Sequence, residues 1–388
     1  MNRIYFDYNA TTPLSREVLD FYTKELAEYA NGSSLHQEGR EVSASIERAR
    51  QQIAQLVHCE PAELVFTSGG SESNNTVFNT MVALSKKRDN KLVVTTAIEH
   101  PCVLEASRRL EEQFGFEVIF LPVDGDGIVD MESYRKALER KPLLVSIMTA
   151  NNEIGTVQDI KALCAMAHEV GALFHTDAVQ AAGKIPVDFK DWNVDYATLS
   201  AHKIYGPKGV GALYVKAKTP IEPLIRGGHQ EHGLRAGTYN APAIAAFGYA
   251  AELAGKELAD YAAHTGRLRQ KLKDGLLKAV PSIRINGHDT QVLPNTLNVS
   301  FPGAEGEAIL LYLDLLGVAA STGSACASAS LDPSHVLMAT GLGPELAHGS
   351  IRFSFGKYNT EEEVDYVLEN FPSVIDRLRK MSTVSYTD

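Results

Sequence analysis

The chain has 388 residues, 44% hydrophobic and 22% charged, a balance typical of folded globular proteins and unlike that of disordered ones. With 48 acidic and 37 basic side chains its formal charge is −11, which argues against nucleic acid or an anionic membrane as a partner. Its four cysteines, Cys59, Cys102, Cys164 and Cys326, form no Cys-x-x-Cys pair for a metal and too sparse a set for a disulfide framework, so a reducing, cytoplasmic setting is expected.

The opening "MNRIYFDYNATTPL" has no apolar segment behind a basic start, and no later run is apolar for long enough to span a bilayer. From about residue 60 to 215, short β-branched runs alternate with longer amphipathic ones. "ELVFTSG", "KLVVTTA", "EVIFLPV", "LLVSIMTA", "LFHTDA", "YATLSAHK" and "VGALYV" predict strands, and 72–87, 101–114 and 159–170 predict helices. This order predicts an α/β domain whose sheet is largely parallel and covered by helices.

After "RGGHQEHGLRAGTYNAP" an Ala- and Leu-rich stretch, 241–280, leads out of the large domain. "SIRING", "NTLNVSF", "VAASTG" and "SIRFSF" then predict strands of a smaller α+β domain that closes on the amphipathic helix "TEEEVDYVLENFPSVIDRLRKM". The expected division is a large domain over 15–250 and a small one made of 1–14 and 251–388.

In such sheets ligands bind beyond the carboxyl ends of the strands. "VFTSGGSESNN" ends a strand in Gly69-Gly70 with Ser71 and Glu72 at a helix start, a place that favours a phosphate and equally an ordinary turn. "LFHTDAVQ" ends in Asp177, followed by Gln180, where an acidic ligand and a plain helix cap are both consistent with the residues. "LSAHKIYGPKGVG" sets Ser200, His202 and Lys203 at a strand end before a rigid turn.

Pyridoxal phosphate gives these tails distinct work, because it needs a lysine for a Schiff base, an acid for its ring nitrogen and a cradle for its phosphate. Lys203 suits the first role better than Lys208, which sits in the turn. His100 in "TTAIEHPCV" is placed to stack on a ring and relay protons, or to be a structural histidine. Asn152 in "TANNEIGTV" offers an amide to the cofactor's phenolic oxygen or to a substrate carboxylate, and Arg352 in "HGSIRFSFG" offers a bidentate partner for a carboxylate. Cys102, near an apolar helix start, reads as structural. The window "STGSACASASL", 321–331, instead sets Cys326 among small residues, where a thiol is accessible and its loop is expected to travel.

In this order the motifs "ATTP", "TSGGSESNN", "IEHPCV", "NNEIGT", "HTDAVQ", "SAHKIYGPKG", "RAGTYN", "STGSACASAS" and "SIRFSFGKYNTEEE" resemble the cysteine desulfurases of NifS/IscS type, over nearly the whole chain. The resemblance implies a homodimeric pyridoxal-phosphate enzyme of the aspartate aminotransferase fold. It implies conversion of L-cysteine to L-alanine, with sulfur passed as a Cys326 persulfide to a protein acceptor such as an iron–sulfur scaffold. By motif, Lys203 forms the Schiff base, Asp177 meets the ring nitrogen, His100 stacks and relays protons, and Gln180 and Asn152 reach the ring substituents. Gly70, Ser71, Ser200 and His202 hold the phosphate, Thr238 reaches the partner's phosphate across the dimer, and Arg352 takes the substrate carboxylate. The competing readings are another class V aminotransferase or lyase, a selenocysteine lyase, or a non-catalytic sulfur carrier; the last would not require Lys203.

Overall fold

The computed structural model describes residues 3–322 and 332–381. The chain runs through β1 (Ile4–Tyr5), α1 (Arg16–Glu25), α2 (Gln37–Val57), β2 (Leu64–Thr67), α3 (Gly70–Arg88), β3 (Leu92–Thr96) and α4 (Pro101–Phe114). It continues through β4 (Glu117–Leu121), α5 (Met131–Glu139), β5 (Leu144–Ser146), α6 (Ile160–Glu169), β6 (Leu173–Asp177), the short α7 (Phe189–Trp192), β7 (Tyr196–Ser200) and β8 (Gly211–Val215).

Strands β2 to β8 form one seven-stranded sheet in the order β2-β8-β7-β6-β5-β3-β4. Five neighbours, β4, β3, β5, β6 and β7, are parallel. Strand β8 runs antiparallel to both β7 and β2. The cause is the connection from β7 to β8, the "AHKIYGPKGV" turn, which is too short and too rigid for the crossover that a parallel return requires. Strands β3 and β7 are buried at every position, as helix-covered strands must be, which explains their continuous apolar runs.

The second part begins with α8 (Ala241–Ala279), followed by β9 (Arg284–Asn286), β10 (Thr296–Ser300), α9 (Gly306–Leu315) and β11 (Val318–Ala319). After α10 (His335–Ala339) and α11 (Pro344–His348) come β12 (Ser350–Ser354) and α12 (Glu361–Met381). Strands β9, β10 and β12 make an antiparallel sheet with β10 in the middle, and β1 pairs in parallel with β11. Helix α8 belongs to two cores. Ala243, Phe247 and Ala250 pack into the core beneath the large sheet, whereas Leu268, Leu272 and Leu276 pack with Phe353, Ile375 and the rest of the C-terminal core.

The segment after β1 crosses between these parts: Tyr8 N–H bonds the Ser354 carbonyl at 3.2 Å and Thr12 N–H bonds the His202 carbonyl at 3.0 Å. Among the described residues no helix is long and apolar enough to cross a membrane.

Candidate active site

The parallel strands end on one side of the large sheet, and a cavity of about 420 Å³ opens there. Asp177 is the last residue of β6 and Ser200 the last of β7, so both reach its wall directly. Lys203 follows in a single 3₁₀ turn, Ala201–Lys203, and His100 caps the start of α4 with its Nδ1 accepting from the Cys102 N–H at 3.2 Å. Gly70, Ser71, Asn152, Gln180, His202 and Arg352 line the same cavity. Thr238 stands outside it, exposed on the loop before α8. The Arg235–Glu72 ion pair, 2.9 Å, ties that loop to the first turn of α3.

Asp177 is buried; its Oδ2 accepts from Asn74 Nδ2 at 2.7 Å and its Oδ1 from the Val179 N–H at 3.0 Å. Both partners are neutral, so the carboxylate presents its charge to whatever fills the cavity. Lys203 Nζ donates to the carbonyls of Asn9 at 2.5 Å and Ala10 at 2.8 Å. Burial pulls the His100 imidazole below its usual proton affinity, with nearby Lys203 and His335 adding to the effect and Asp177 opposing it. His202 is pushed down to about 3, by burial first, with nearby Lys203 and Lys208 adding to the effect.

Arg352 is 2% exposed, ion-paired with Asp7 at 2.7 Å and donating to the Asn152 carbonyl at 3.1 Å. Among the described residues its Nε has no hydrogen-bond partner, an unusual condition for a buried cation.

Cys326 lies outside the described residues, as does most of the small-residue loop expected to travel. The chain on either side of that segment is held at the cavity. Ser321 exchanges two backbone hydrogen bonds with Arg352, at 2.7 and 3.2 Å. Ser334 Oγ donates to Glu153, a cavity residue, at 2.5 Å, and His335 Nε2 bonds the carbonyl of Glu99, the neighbour of His100, at 2.9 Å.

Cys102, read from the sequence as structural, packs against the apolar cluster under α3 and α4 and also reaches the cavity wall, with Sγ 2.9 Å from His100 Nδ1 and 3.1 Å from Asn74 Nδ2. Burial, with Asp177 nearby, pushes its thiol up to about 12, so it is a neutral wall group and a poor nucleophile. Asn9 and Asn74 are cavity residues that sequence reasoning did not single out. The polar "DYNATTP" segment was the available signal for Asn9, but its meaning depends on a fold partner far along the chain.

Residues 4–367 match the aminotransferase class-V family, and the chain belongs to that family. Its members work through pyridoxal phosphate, and this chain is a pyridoxal-phosphate-dependent enzyme. It is 46% identical over 387 residues to a cysteine desulfurase of Gluconacetobacter diazotrophicus, covering 98% of this chain and 96% of the relative. It is 47% identical over 380 residues to a cysteine desulfurase IscS of Dictyoglomus turgidum, again covering 98% and 96%. Among solved structures, a NifS-like protein superposes with a TM-score of 0.90 at 40% identity, over 97% of this chain and all of the other. A NifS-like protein from Rickettsia africae superposes with a TM-score of 0.87 at 32% identity, over 97% and 100%. The architecture is that of the pyridoxal-phosphate-dependent transferases.

The residues present fit the cofactor. Gly69, the N-cap of α3, has a φ of +154° and no side chain to cap the helix, so the first N–H groups of α3 are left for an anion. A Cβ at Gly211 would lie 2.7 Å from the Gly69 Cα, so glycine there lets strand β8 close against this loop. Buried Asp177 supplies the negative charge that a protonated ring nitrogen requires, and Lys203 supplies the amine.

Proposed function

We infer that the chain is a cysteine desulfurase, taking L-cysteine to L-alanine and receiving the sulfur on Cys326. The observation that carries this reading is one cavity lined by a lysine, a buried carboxylate with neutral partners, and a buried arginine whose Nε lacks a partner among the described residues. Lys203, Asp177, His100, Gln180 and Asn152 would hold the ring of pyridoxal phosphate, and Gly70, Ser71, Ser200 and His202 its phosphate. When bound, the cofactor supplies an electron sink that loosens the bonds around the substrate's α-carbon.

Arg352 binds the substrate carboxylate, with Asp7 holding the guanidinium in place. Lys203 Nζ moves the α-proton, and His100, neutral because it is buried, accepts or returns a proton beside it. The Cys326 thiolate attacks the substrate sulfur: a sulfur–sulfur bond forms, the carbon–sulfur bond breaks with its electron pair left on the substrate's β-carbon, that carbon takes up a proton, and alanine leaves. The tethers from Ser321 to Arg352 and from Ser334 to Glu153 support a thiol within reach of the cavity.

The persulfide is then handed to a protein acceptor, for which an iron–sulfur scaffold is the proposed class. The enzyme is proposed to act as a homodimer, with Thr238 of each copy serving the phosphate of the other. Its setting is proposed to be cytoplasmic, in keeping with Cys59, Cys102 and Cys164 being free thiols.

Incubation with L-cysteine followed by intact-mass measurement tests the reading: one added sulfur on Cys326 is expected, with stoichiometric alanine. If Cys326→Ala still releases sulfide at the wild-type rate, the chain is instead another class V lyase. If selenocysteine is turned over and cysteine is not, it is a selenocysteine lyase.

A further inference from the structure

Behind the cavity wall lies a lysine that the reaction above does not use. Lys184 is 1% exposed and sits in the helical turn that follows β6, where Ala178 accepts from the N–H groups of Ala181 and Ala182. Gly183, at a φ of +74°, then turns the chain so that Lys184 comes beside Gln180. Lys184 Nζ lies 2.6 Å from Gln180 Oε1 and 3.1 Å from Asn9 Oδ1. Amide oxygens only accept hydrogen bonds, so the lysine is the donor in both.

The other ends of these amides are also engaged. Gln180 Nε2 donates at 3.0 Å to the Asn9 carbonyl, the same oxygen that receives Lys203 Nζ at 2.5 Å. Asn9 Nδ2 donates to the Asn152 carbonyl at 3.1 Å and to Thr296 Oγ1 at 2.8 Å, while Asn295 shares Asn9 Oδ1 with Lys184 at 3.0 Å. Gln180 and Asn9 line the cavity and Lys184 does not, so the lysine grips both side chains from behind.

We propose that Lys184 is a positioning residue of the cofactor site: by holding Gln180 Oε1 and Asn9 Oδ1 it makes Gln180 present its NH₂ group, a donor, to the phenolic oxygen of pyridoxal phosphate. This rests on the reading of Gln180 given above. A charged ammonium among neutral oxygens is costly to bury. Burial, with Lys203 and Arg352 nearby, lowers the proton affinity of Lys184 far below that of an ordinary lysine. An uncharged amine still has two hydrogens for its two oxygens, so the arrangement does not depend on the charge.

The test uses the holoenzyme and Lys184→Met, Lys184→Gln, Gln180→Ala and the K184M/Q180A double variant. The readout is the ratio of near-ultraviolet to visible absorption of the bound cofactor, which reports whether the phenolic oxygen keeps its own proton or receives a hydrogen bond. Apoprotein titration with pyridoxal phosphate and apoprotein melting are measured alongside. K184M is expected to move the ratio at least about threefold and weaken cofactor binding about tenfold, the worth of one hydrogen bond. In the Q180A background it is expected to move the ratio less than about twofold, because its effect on the ring passes through Gln180.

K184Q returns an amide donor and is expected to stay within about twofold of the wild-type ratio, and it is the comparison if methionine prevents folding. An unshifted K184M beside a shifted Q180A, a K184Q as displaced as Q180A, or effects that multiply in the double variant would overturn the proposal for Lys184 alone. An unshifted Q180A would overturn the role of Gln180 and this inference with it.

Discussion

Arg352 shows how a single residue can announce a ligand. Its two terminal nitrogens are held by Asp7 and the Asn152 carbonyl, yet among the described residues its buried Nε has no partner. A lysine carries a comparable charge without the planar fork, so Arg352→Lys is expected to raise KM for L-cysteine roughly 10- to 100-fold and to change kcat much less. Steady-state kinetics would decide this, since an equal fall in kcat would place Arg352 on the proton path instead.

Glu99, the neighbour of His100, is buried, and burial raises its carboxyl from 4.5 to about 8. The folded chain therefore binds more protons than the unfolded chain between those values, and stability falls as pH rises through that window. Glu99→Gln is expected to remove a slope of up to about 1.4 kcal/mol per pH unit from urea titrations between pH 5 and 8. A variant with the wild-type slope would mean that Glu99 is already ionised.

At the scale of elements, the site depends on how strands stop. Strand β6 ends on Asp177, β7 on Ser200, and β8 begins with the glycine that lets it lie against the loop before α3. The close approach of Gly211 to Gly69 makes this joint sensitive to a single carbon. Gly211→Ala would put its Cβ 2.6 Å from the Leu199 carbonyl oxygen and 2.7 Å from the Gly69 Cα, so β7 or the loop must shift. The expected result is a loss of about 1–3 kcal/mol of stability from overpacking, with weaker binding of pyridoxal phosphate by the apoprotein. Fluorescence titration of the apoprotein measures the second effect, and unchanged affinity would show that the α3 N-terminus does not hold the phosphate.

For the molecule as a whole, α8 is the element that makes one body of two cores. Leu272 is fully buried in the C-terminal core, on the same helix whose first turns pack beneath the large sheet. Leu272→Ala is expected to cost about 2–5 kcal/mol in guanidinium titrations. Thr238 is exposed in the single chain, and the role proposed for it requires a second copy. Sedimentation is expected to give a dimer, and Thr238→Ala is expected to weaken cofactor binding in it without lowering the melting temperature of the apoprotein.

Local chemistry made much of this legible in the sequence. The strands that end on Asp177 and Ser200 and the helix over 101–114 follow from periodicity, and the polar residues at strand ends marked one side of the sheet. The antiparallel turn of β8 was hidden because a buried strand has the same apolar pattern in either direction. Asn9, Lys184 and Cys102 could be placed only by the fold. Asn9 and Lys184 meet across 175 residues of chain, and Cys102 faces Asn74 from another helix. Periodicity reports which face of its own element a residue occupies. The partners of a buried amine or thiol, and therefore its proton affinity, are set by distant segments that only tertiary packing brings together.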